Sequence, residues 1–415
     1  MVRKGKNWRH FEDGDDQHDR ISKMKPRDKK SSKSSNLDKE FSIAESQWEE
    51  KFPEGFAARV VEVHKRYAFI SPEAEEGQIK TRDVWLSTIA RKFLQAKREE
   101  RNFIVVGDRV LCTKTSEDHA GVVTDLPQCV IQHLAPRKTL IKRLDPHRRE
   151  LEHVLASNVD QLLIVASYAG PTVKWGLIDR YLVLAELQGV RPIIILNKKD
   201  LLASETIEFQ EDCLANVNIY KALGYQVISV QANSAGAKKN IDIQELKMTL
   251  KGKVTMLSGH SGVGKSSLVN LFEPELVQAV EKNEAISYKG RHTTSYASFI
   301  KLGTGGYVID TPGIRSFVLQ DLSFRELSSG FVEFSEWVSK CKYEDCRHIE
   351  EPNCAIHTAR DEGKISERRY QSYRGILLGT TGREGRARDI ARGNILGREL
   401  EGELDGEFEM SDEEE

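Results

Sequence analysis

Nowhere does the chain approach the roughly 18 consecutive apolar residues that a membrane span needs. The longest apolar runs, such as PIIIL at 192–196, have the length of a buried strand, so no membrane partner is expected. The opening MVRKGKNWRHFEDGDDQHD lacks the apolar core of a secretory leader, and its acidic residues argue against an organelle transit peptide. A cytoplasmic protein is expected. Net charge is nearly missing as well: 62 Lys and Arg face 64 Asp and Glu, leaving −2. Composition alone therefore does not announce a nucleic-acid binder. The neutrality hides segregation, because basic residues crowd 20–33 and 137–149 while acids fill the end of the chain. Disulfides are not expected in a reducing compartment. Of the six cysteines, Cys112, Cys129 and Cys213 are scattered, whereas Cys341, Cys346 and Cys354 cluster and need another explanation.

What is present suffices for several domains. The 415 residues, 39% hydrophobic and 30% charged, can form two or three cores under a polar surface. Residues 1–40 are charged, Ser-rich and nearly free of aliphatic side chains, too little apolar surface to offset ordering entropy, and are expected to be a disordered arm. Short strands are expected at 56–63, 67–71, 103–106, 109–113 and 121–124, with a helical insertion at 88–100, which suggests a small β-barrel. The stretch 136–150 reads as a basic linker. From 160 the pattern alternates. Strands at 162–167, 192–198, 226–230 and 254–259 are interleaved with helices at 176–188, 205–223 and 243–250, the signature of a doubly wound α/β sheet. Segments 295–302 and 307–310 read as a hairpin added to that sheet, 320–380 as helical, and the end as a solvated acidic tail.

GHSGVGKS at 259–266 fits the phosphate-binding pattern G-x-x-x-x-G-K-[ST] between an apolar strand and a helix. The chemistry requires that order, because successive backbone N–H groups and a helix N-terminus surround the phosphates. Gly259, Gly262 and Gly264 allow close approach, and His260, Ser261 and Val263 complete the loop. Lys265 is expected to reach the β- and γ-phosphates, Ser266 to ligate Mg²⁺, and Ser267 to continue the first helical turn. DTPG at 310–313 follows another strand: Asp310 is expected to hold Mg²⁺ through water and the Gly313 N–H to meet the γ-phosphate. NKKD (Asn197, Lys198, Lys199, Asp200) closes a buried strand. Asp200 can accept from N1–H and the exocyclic amine of guanine, a donor pair adenine lacks, so GTP and GDP are expected over ATP. Asn197 is expected to brace the loop and contact the base, and the Lys198 stem to pack on it. The order is unusual, since NKKD precedes the phosphate loop. A circular permutation preserves the loops at the carboxyl ends of the strands, which is all that such a site needs.

Cys341-x4-Cys346-x-His348-x5-Cys354 offers three thiolates and an imidazole, a complete tetrahedral set for one structural Zn²⁺ with no open position for catalysis. His357 is a competing imidazole that ranks lower.

These motifs together resemble the circularly permuted GTPases of small-subunit ribosome biogenesis, the RsgA or YjeQ family. The marks are GDRV (107–110), NVDQLLIV (158–165), DRYLVLAE (179–186), LNKKDLL (196–202), GHSGVGKSSLVN (259–270), GRHTTS (290–295), DTPGIRSF (310–317) and CKYEDCRHIEEPNCA (341–355). The resemblance implies an OB-fold RNA-binding domain (41–135), the basic linker (136–150), a permuted GTPase domain (151–318) and a helical zinc-binding domain (319–385), between the charged arm (1–40) and the acidic tail (386–415). It assigns the same four zinc ligands. It further implies a monomer that binds the small ribosomal subunit and its rRNA, not DNA, with hydrolysis driving release. Basic residues such as Arg59 and Arg137, and Tyr67, Phe69 and Trp85, are candidate RNA contacts. A second reading is an RNA-binding assembly factor whose nucleotide site is only structural. In GRHTTS, Thr293 or Thr294 is the expected Mg²⁺ ligand. Ile314 follows DTPG and cannot orient water, so His292 is the expected water-positioning group, the alternative being a group supplied by the ribosome.

Overall fold

The computed structural model describes residues 47–64, 66–73, 84–90, 104–115, 126–144, 152–232, 241–272, 298–302, 305–310 and 322–380. Its first unit is a closed barrel of β1 (Phe56–Val63), β2 (Ala68–Pro72), β3 (Trp85–Ile89), β4 (Arg109–Lys114) and β5 (Gln128–Leu134), in the order β1-β2-β3-β5-β4. β3 and β5 run parallel and the other pairs antiparallel, the connectivity of an OB-fold. Alternation builds it: in β1, Ala58 and Val60 are fully buried while their neighbours are half-buried.

Several expectations change here. Thr88 and Ile89 end a strand rather than begin a helix. In 103–106, Val106 makes an isolated bridge to Ala156 instead of lying in a ladder, although Ile104 to Val106 are buried. β5 escapes the apolar-run signal because Gln128, Gln132 and His133 interrupt QCVIQHL, leaving only the short run Cys129–Ile131. Leu140–Leu144, within the stretch read as linker, forms β6 and pairs antiparallel with β7 (Glu152–Ser157). Residues 121–124, the arm 1–40 and the tail 386–415 lie outside the described residues.

The second unit is a six-stranded sheet of order β10-β9-β8-β11-β13-β12, in which β12 alone is antiparallel to its neighbour. Its strands are β8 (Gln161–Ser167), β9 (Arg191–Asn197), β10 (Gln226–Ser229), β11 (Val254–Ser258), β12 (Ser298–Lys301) and β13 (Tyr307–Asp310). The apolar runs of β8 and β9 are sorted by pleat. Leu162, Ile164, Ile194 and Leu196 pack with helices α1 (Trp175–Leu187) and α2 (Ile207–Ala222). Leu163, Val165, Ile193 and Ile195 pack on the other face with α3 (Ile241–Leu250) and α4 (Lys265–Phe272).

The C-terminal unit holds α5 (Phe324–Ser329), two 3-10 turns (Val332–Phe334 and Val338–Lys340), α6 (Ala355–Asp361) and α7 (Glu367–Thr380). A capping box between Ser323 and Glu326 starts α5. Its Phe331, Phe334, Tyr370 and Tyr373 join the same apolar core as α1, so the C-terminal unit shares the interior of the sheet domain.

Candidate nucleotide and metal sites

β11 is buried throughout and lies between β8 and β13, so the loop after it opens at the carboxyl edge of the sheet's centre. Gly259, Gly262 and Gly264 have φ of +146°, +79° and +97°. Two of them are also fixed by space. A Cβ on Gly259 would lie 2.1 Å from the Val165 carbonyl oxygen, and one on Gly264 2.2 Å from the Asn197 amide nitrogen. The Lys265 ammonium sits over the loop, donating to the carbonyls of Gly259 and His260 at 2.7 Å each. Val263 is buried, and His260, Ser261 and Ser266 are exposed. Ser267 is half-buried in the first turn of α4.

NKKD meets this loop directly. Asn197, 2% exposed at the end of β9, donates to the Val263 carbonyl at 2.9 Å and accepts from the Ala232 N–H at 3.2 Å. One amide thereby ties the phosphate loop to NKKD and to the segment after β10. That segment is further held by Val230 N–H to Leu196 O at 2.8 Å and Lys199 N–H to Val230 O at 3.1 Å. Lys198 adopts the left-handed conformation at φ +58°, which turns the chain out of the strand, and its ammonium bonds the Gly170 carbonyl. Lys199 pairs with Asp242 at 3.1 Å. Asp200 is exposed, free to meet a planar donor pair. Asp310 ends β13, in register with Leu257 of β11. His292, Thr293, Thr294 and Gly313 lie outside the described residues.

The ligand atoms of Cys341, Cys346, His348 and Cys354 lie within 4.8 Å of one another. The His348 Nδ1 stands 3.6 Å from the Cys341 sulfur and 3.5 Å from that of Cys354. A thiolate at about 2.3 Å and an imidazole nitrogen at about 2.05 Å on a tetrahedral centre would be roughly 3.6 Å apart, so the cluster is compatible with zinc. Burial pushes the His348 imidazole down to about 4, which keeps it neutral at pH 7, the form that ligates. Burial also pushes the Cys346 and Cys354 thiols up. A dication among them would hold them as thiolates. His357 points elsewhere: its Nε2 meets the Tyr370 hydroxyl at 2.9 Å and the His348 carbonyl at 3.1 Å.

A family model described as RsgA GTPase matches residues 134–320. The small ribosomal subunit biogenesis GTPase RsgA 1 of Vibrio parahaemolyticus is 39% identical over 277 residues, covering 66% of this chain and 73% of that protein. The chain belongs to the RsgA GTPase family. The RsgA of Flavobacterium psychrophilum is 36% identical over 291 residues, 70% of this chain and 85% of that protein. Among solved structures, YjeQ from Thermotoga maritima is similar with a TM-score of 0.59 at 31% identity, over 79% of this chain and 99% of that one. YloQ, described as a circularly permuted GTPase, reaches a TM-score of 0.58 at 25% identity over 79% and 96%. The permuted order read from the motifs is thus the order of the RsgA family, and guanine nucleotide is the substrate class of such GTPases.

Motif reading missed the side chains that hold these sites in place. Arg369 of α7, fully buried, bridges Asp179 of α1 at 2.7 Å and Glu333 at 2.6 Å, and Arg368 adds 2.8 Å to Asp179. Burial alone would raise the Asp179 carboxyl, but the two arginines hold it below its ordinary value. From the same helix, Tyr370 and Tyr373 donate to the carbonyls of His348 and Arg347 at 2.9 and 2.8 Å, inside the metal knuckle. The Glu351 carboxylate accepts from the N–H groups of Arg347 and Ile349 at 2.8 Å each. Two expected RNA contacts are internal. Arg59 lies against Glu73 at 3.4 Å and over the Phe299 ring, while Arg137 forks onto buried Asp108 at 2.7 and 2.8 Å.

Proposed function

We propose that this chain hydrolyses GTP while bound to the maturing small ribosomal subunit and its rRNA, and that hydrolysis drives its release. The observation that carries the reading is the Asn197 amide, which joins a phosphate loop and a guanine-reading NKKD loop at one edge of a permuted sheet. The relatives named small ribosomal subunit biogenesis GTPase supply the subunit as partner. The OB-type barrel supplies an RNA-binding face, on which exposed Arg66 beside Tyr67 and the His64–Tyr67 stack, 4.5 Å between centroids, are better placed than Arg59.

On this reading Asp200 accepts the guanine N1–H and amino protons, and Lys265 exchanges its two loop carbonyls for phosphate oxygens. Ser266, Asp310 and Thr293 or Thr294 would hold Mg²⁺, which supplies charge neutralisation of the phosphates. The Gly313 N–H would sense the γ-phosphate, and His292 would position the attacking water. Cys341, Cys346, His348 and Cys354 would hold one structural Zn²⁺, which supplies folding energy to the C-terminal unit. The protein would act as a cytoplasmic monomer, its barrel, GTPase and zinc-binding domains following the proposed limits 41–135, 151–318 and 319–385.

The test is turnover of GTP and ATP with and without purified small subunits. Slow GTP turnover that subunits stimulate strongly, with little ATP turnover, is expected. Equal use of both nucleotides would refute the guanine reading, and no stimulation would leave a nucleotide-binding assembly factor. In His292→Ala, nucleotide affinity and subunit binding should persist while stimulated turnover falls. Full stimulation of that variant would shift the role to a group supplied by the ribosome.

A further inference from the structure

Helix α1 touches the C-terminal unit on one face and the surroundings of the phosphate loop on another. Asp179 and Val183 are four residues apart and share a face, whereas Tyr181, two residues from each, points away from it. On the first face stands the C-terminal unit. Arg369 and Arg368 reach the buried Asp179 carboxylate at 2.7 and 2.8 Å. Beside them a Cβ on Gly330 would come within 2.7 Å of the Val183 Cγ1, so the unit approaches α1 as closely as glycine permits. The Tyr220 hydroxyl, from α2, also donates to Asp179 at 2.7 Å and leaves the carboxylate little freedom. On the other face Tyr181 is 2% exposed, with its hydroxyl turned toward Ser258 and Gly259, where β11 enters the phosphate loop. Tyr181 also lines, with Ile178, Val263 and His260, the small cavity beneath that loop. A close-packed interior of this kind transmits displacement rather than absorbing it.

We propose that α1 couples the zinc-binding unit to the phosphate loop. The C-terminal unit, folded around its metal, sets the position of α1 through Asp179 and Val183, and Tyr181 passes that position to Gly259. Asp179 and Tyr181 are thus positioning residues for the nucleotide, neither touching it. The proposal rests on the nucleotide reading above and adds that the two sites are linked. Linkage is reciprocal: if the metal-bound unit favours nucleotide binding, nucleotide must favour metal retention by the same factor.

The experiment uses the full-length, zinc-loaded chain. Affinity is read with a fluorescent N-methylanthraniloyl GDP, and zinc loss with the chromophoric chelator 4-(2-pyridylazo)resorcinol, with and without saturating GDP. Tyr181→Phe removes one hydroxyl and should lower GDP affinity about three- to tenfold, the range of one net hydrogen bond. Asp179→Asn should lower it by a similar factor, and the double variant should be little worse than the poorer single one, because both act on one path. At equilibrium with the chelator, saturating GDP should tighten zinc about fivefold or more in the wild type and not in either variant. Gly330→Ala keeps every polar partner while pushing the unit off α1. It should behave as Asp179→Asn does, and replaces it if that variant does not fold. Wild-type GDP affinity in both Tyr181→Phe and Gly330→Ala, or a zinc affinity indifferent to GDP in the wild type, would overturn the coupling while leaving the nucleotide reading intact. A wild type that binds no GDP would sink both.

Discussion

Asn197 and Asp200 are three positions apart and do opposite things. Asn197 is buried and spends both ends of its amide on the protein, at Val263 and Ala232. Asp200 is exposed, and on the proposed reading its carboxylate meets the guanine. Substituting each should therefore fail differently. Asp200→Asn should exchange guanine for xanthine nucleotides, whose C2 carbonyl accepts from the new amide, with the fold unaltered. Competition binding with GDP and XDP checks this, and retained GDP preference would count against the assignment. Asn197→Ala should loosen the loop itself, costing about 1–3 kcal/mol for the unpaired buried Val263 carbonyl and weakening all nucleotides alike. Gly264 is the sharper probe of shape. Its φ of +97° and the 2.2 Å approach of the Asn197 amide leave no room for a methyl group. Gly264→Ala should abolish nucleotide binding, measured by calorimetry, while the barrel and zinc knuckle stay folded.

At the scale of elements, α7 is the piece that organises the C-terminal half. Its arginines at 368 and 369 grip α1, and its tyrosines at 370 and 373 cap the knuckle carbonyls, so one 14-residue helix serves two neighbours. The knuckle is short, and His348 and Asn353 both sit at positive φ, a conformation those two residue types adopt more readily than most. Glu351 supports it by collecting backbone N–H groups. Metal ligation is expected to supply the rest, on the order of 10–16 kcal/mol of apparent binding energy. The full chain should then carry one zinc, measured by elemental analysis after chelator-free preparation. Cys346→Ala should lose it and lower the unfolding temperature of the C-terminal unit. A metal-free wild type under reducing conditions would contradict the site.

Across the whole molecule, the junctions are made of buried charge. Asp108 holds Arg137 and Ser157 where the barrel meets the sheet domain, and Asp179 holds Arg368 and Arg369 where the sheet domain meets the C-terminal unit. The second junction has a pH signature. Because the Asp179 carboxyl is held below its ordinary value in the folded chain, it adds stability above the unfolded value near 3.9 and loses it as pH falls further. Denaturant unfolding from pH 6 to 3 should steepen below about pH 4 in the wild type and less so in Asp179→Asn. Binding to the subunit should weaken as salt rises, through release of counterions from rRNA phosphates. A salt-independent affinity would point to protein contacts instead.

The residues proposed to meet nucleotide and metal were legible because their chemistry demands contiguity. A phosphate is wrapped by successive backbone amides, and a knuckle draws four ligands from 14 neighbouring residues, Cys341 to Cys354. The doubly wound sheet was legible for a similar reason, since strands buried on both faces must read as apolar runs. β3, β5 and β6 were not, because half-buried strands dilute that signal with polar residues. Nothing local marks Asp179 as the partner of Arg369, 190 positions on, or sets Tyr181 under Gly259. Those pairs exist only once the chain has closed its core, where a buried charge must find its opposite and a buried hydroxyl its hydrogen bond. Sequence alone therefore determined which chemistry the chain carries. The tertiary structure decided which residues hold that chemistry in position, and that α1 lies between the two sites.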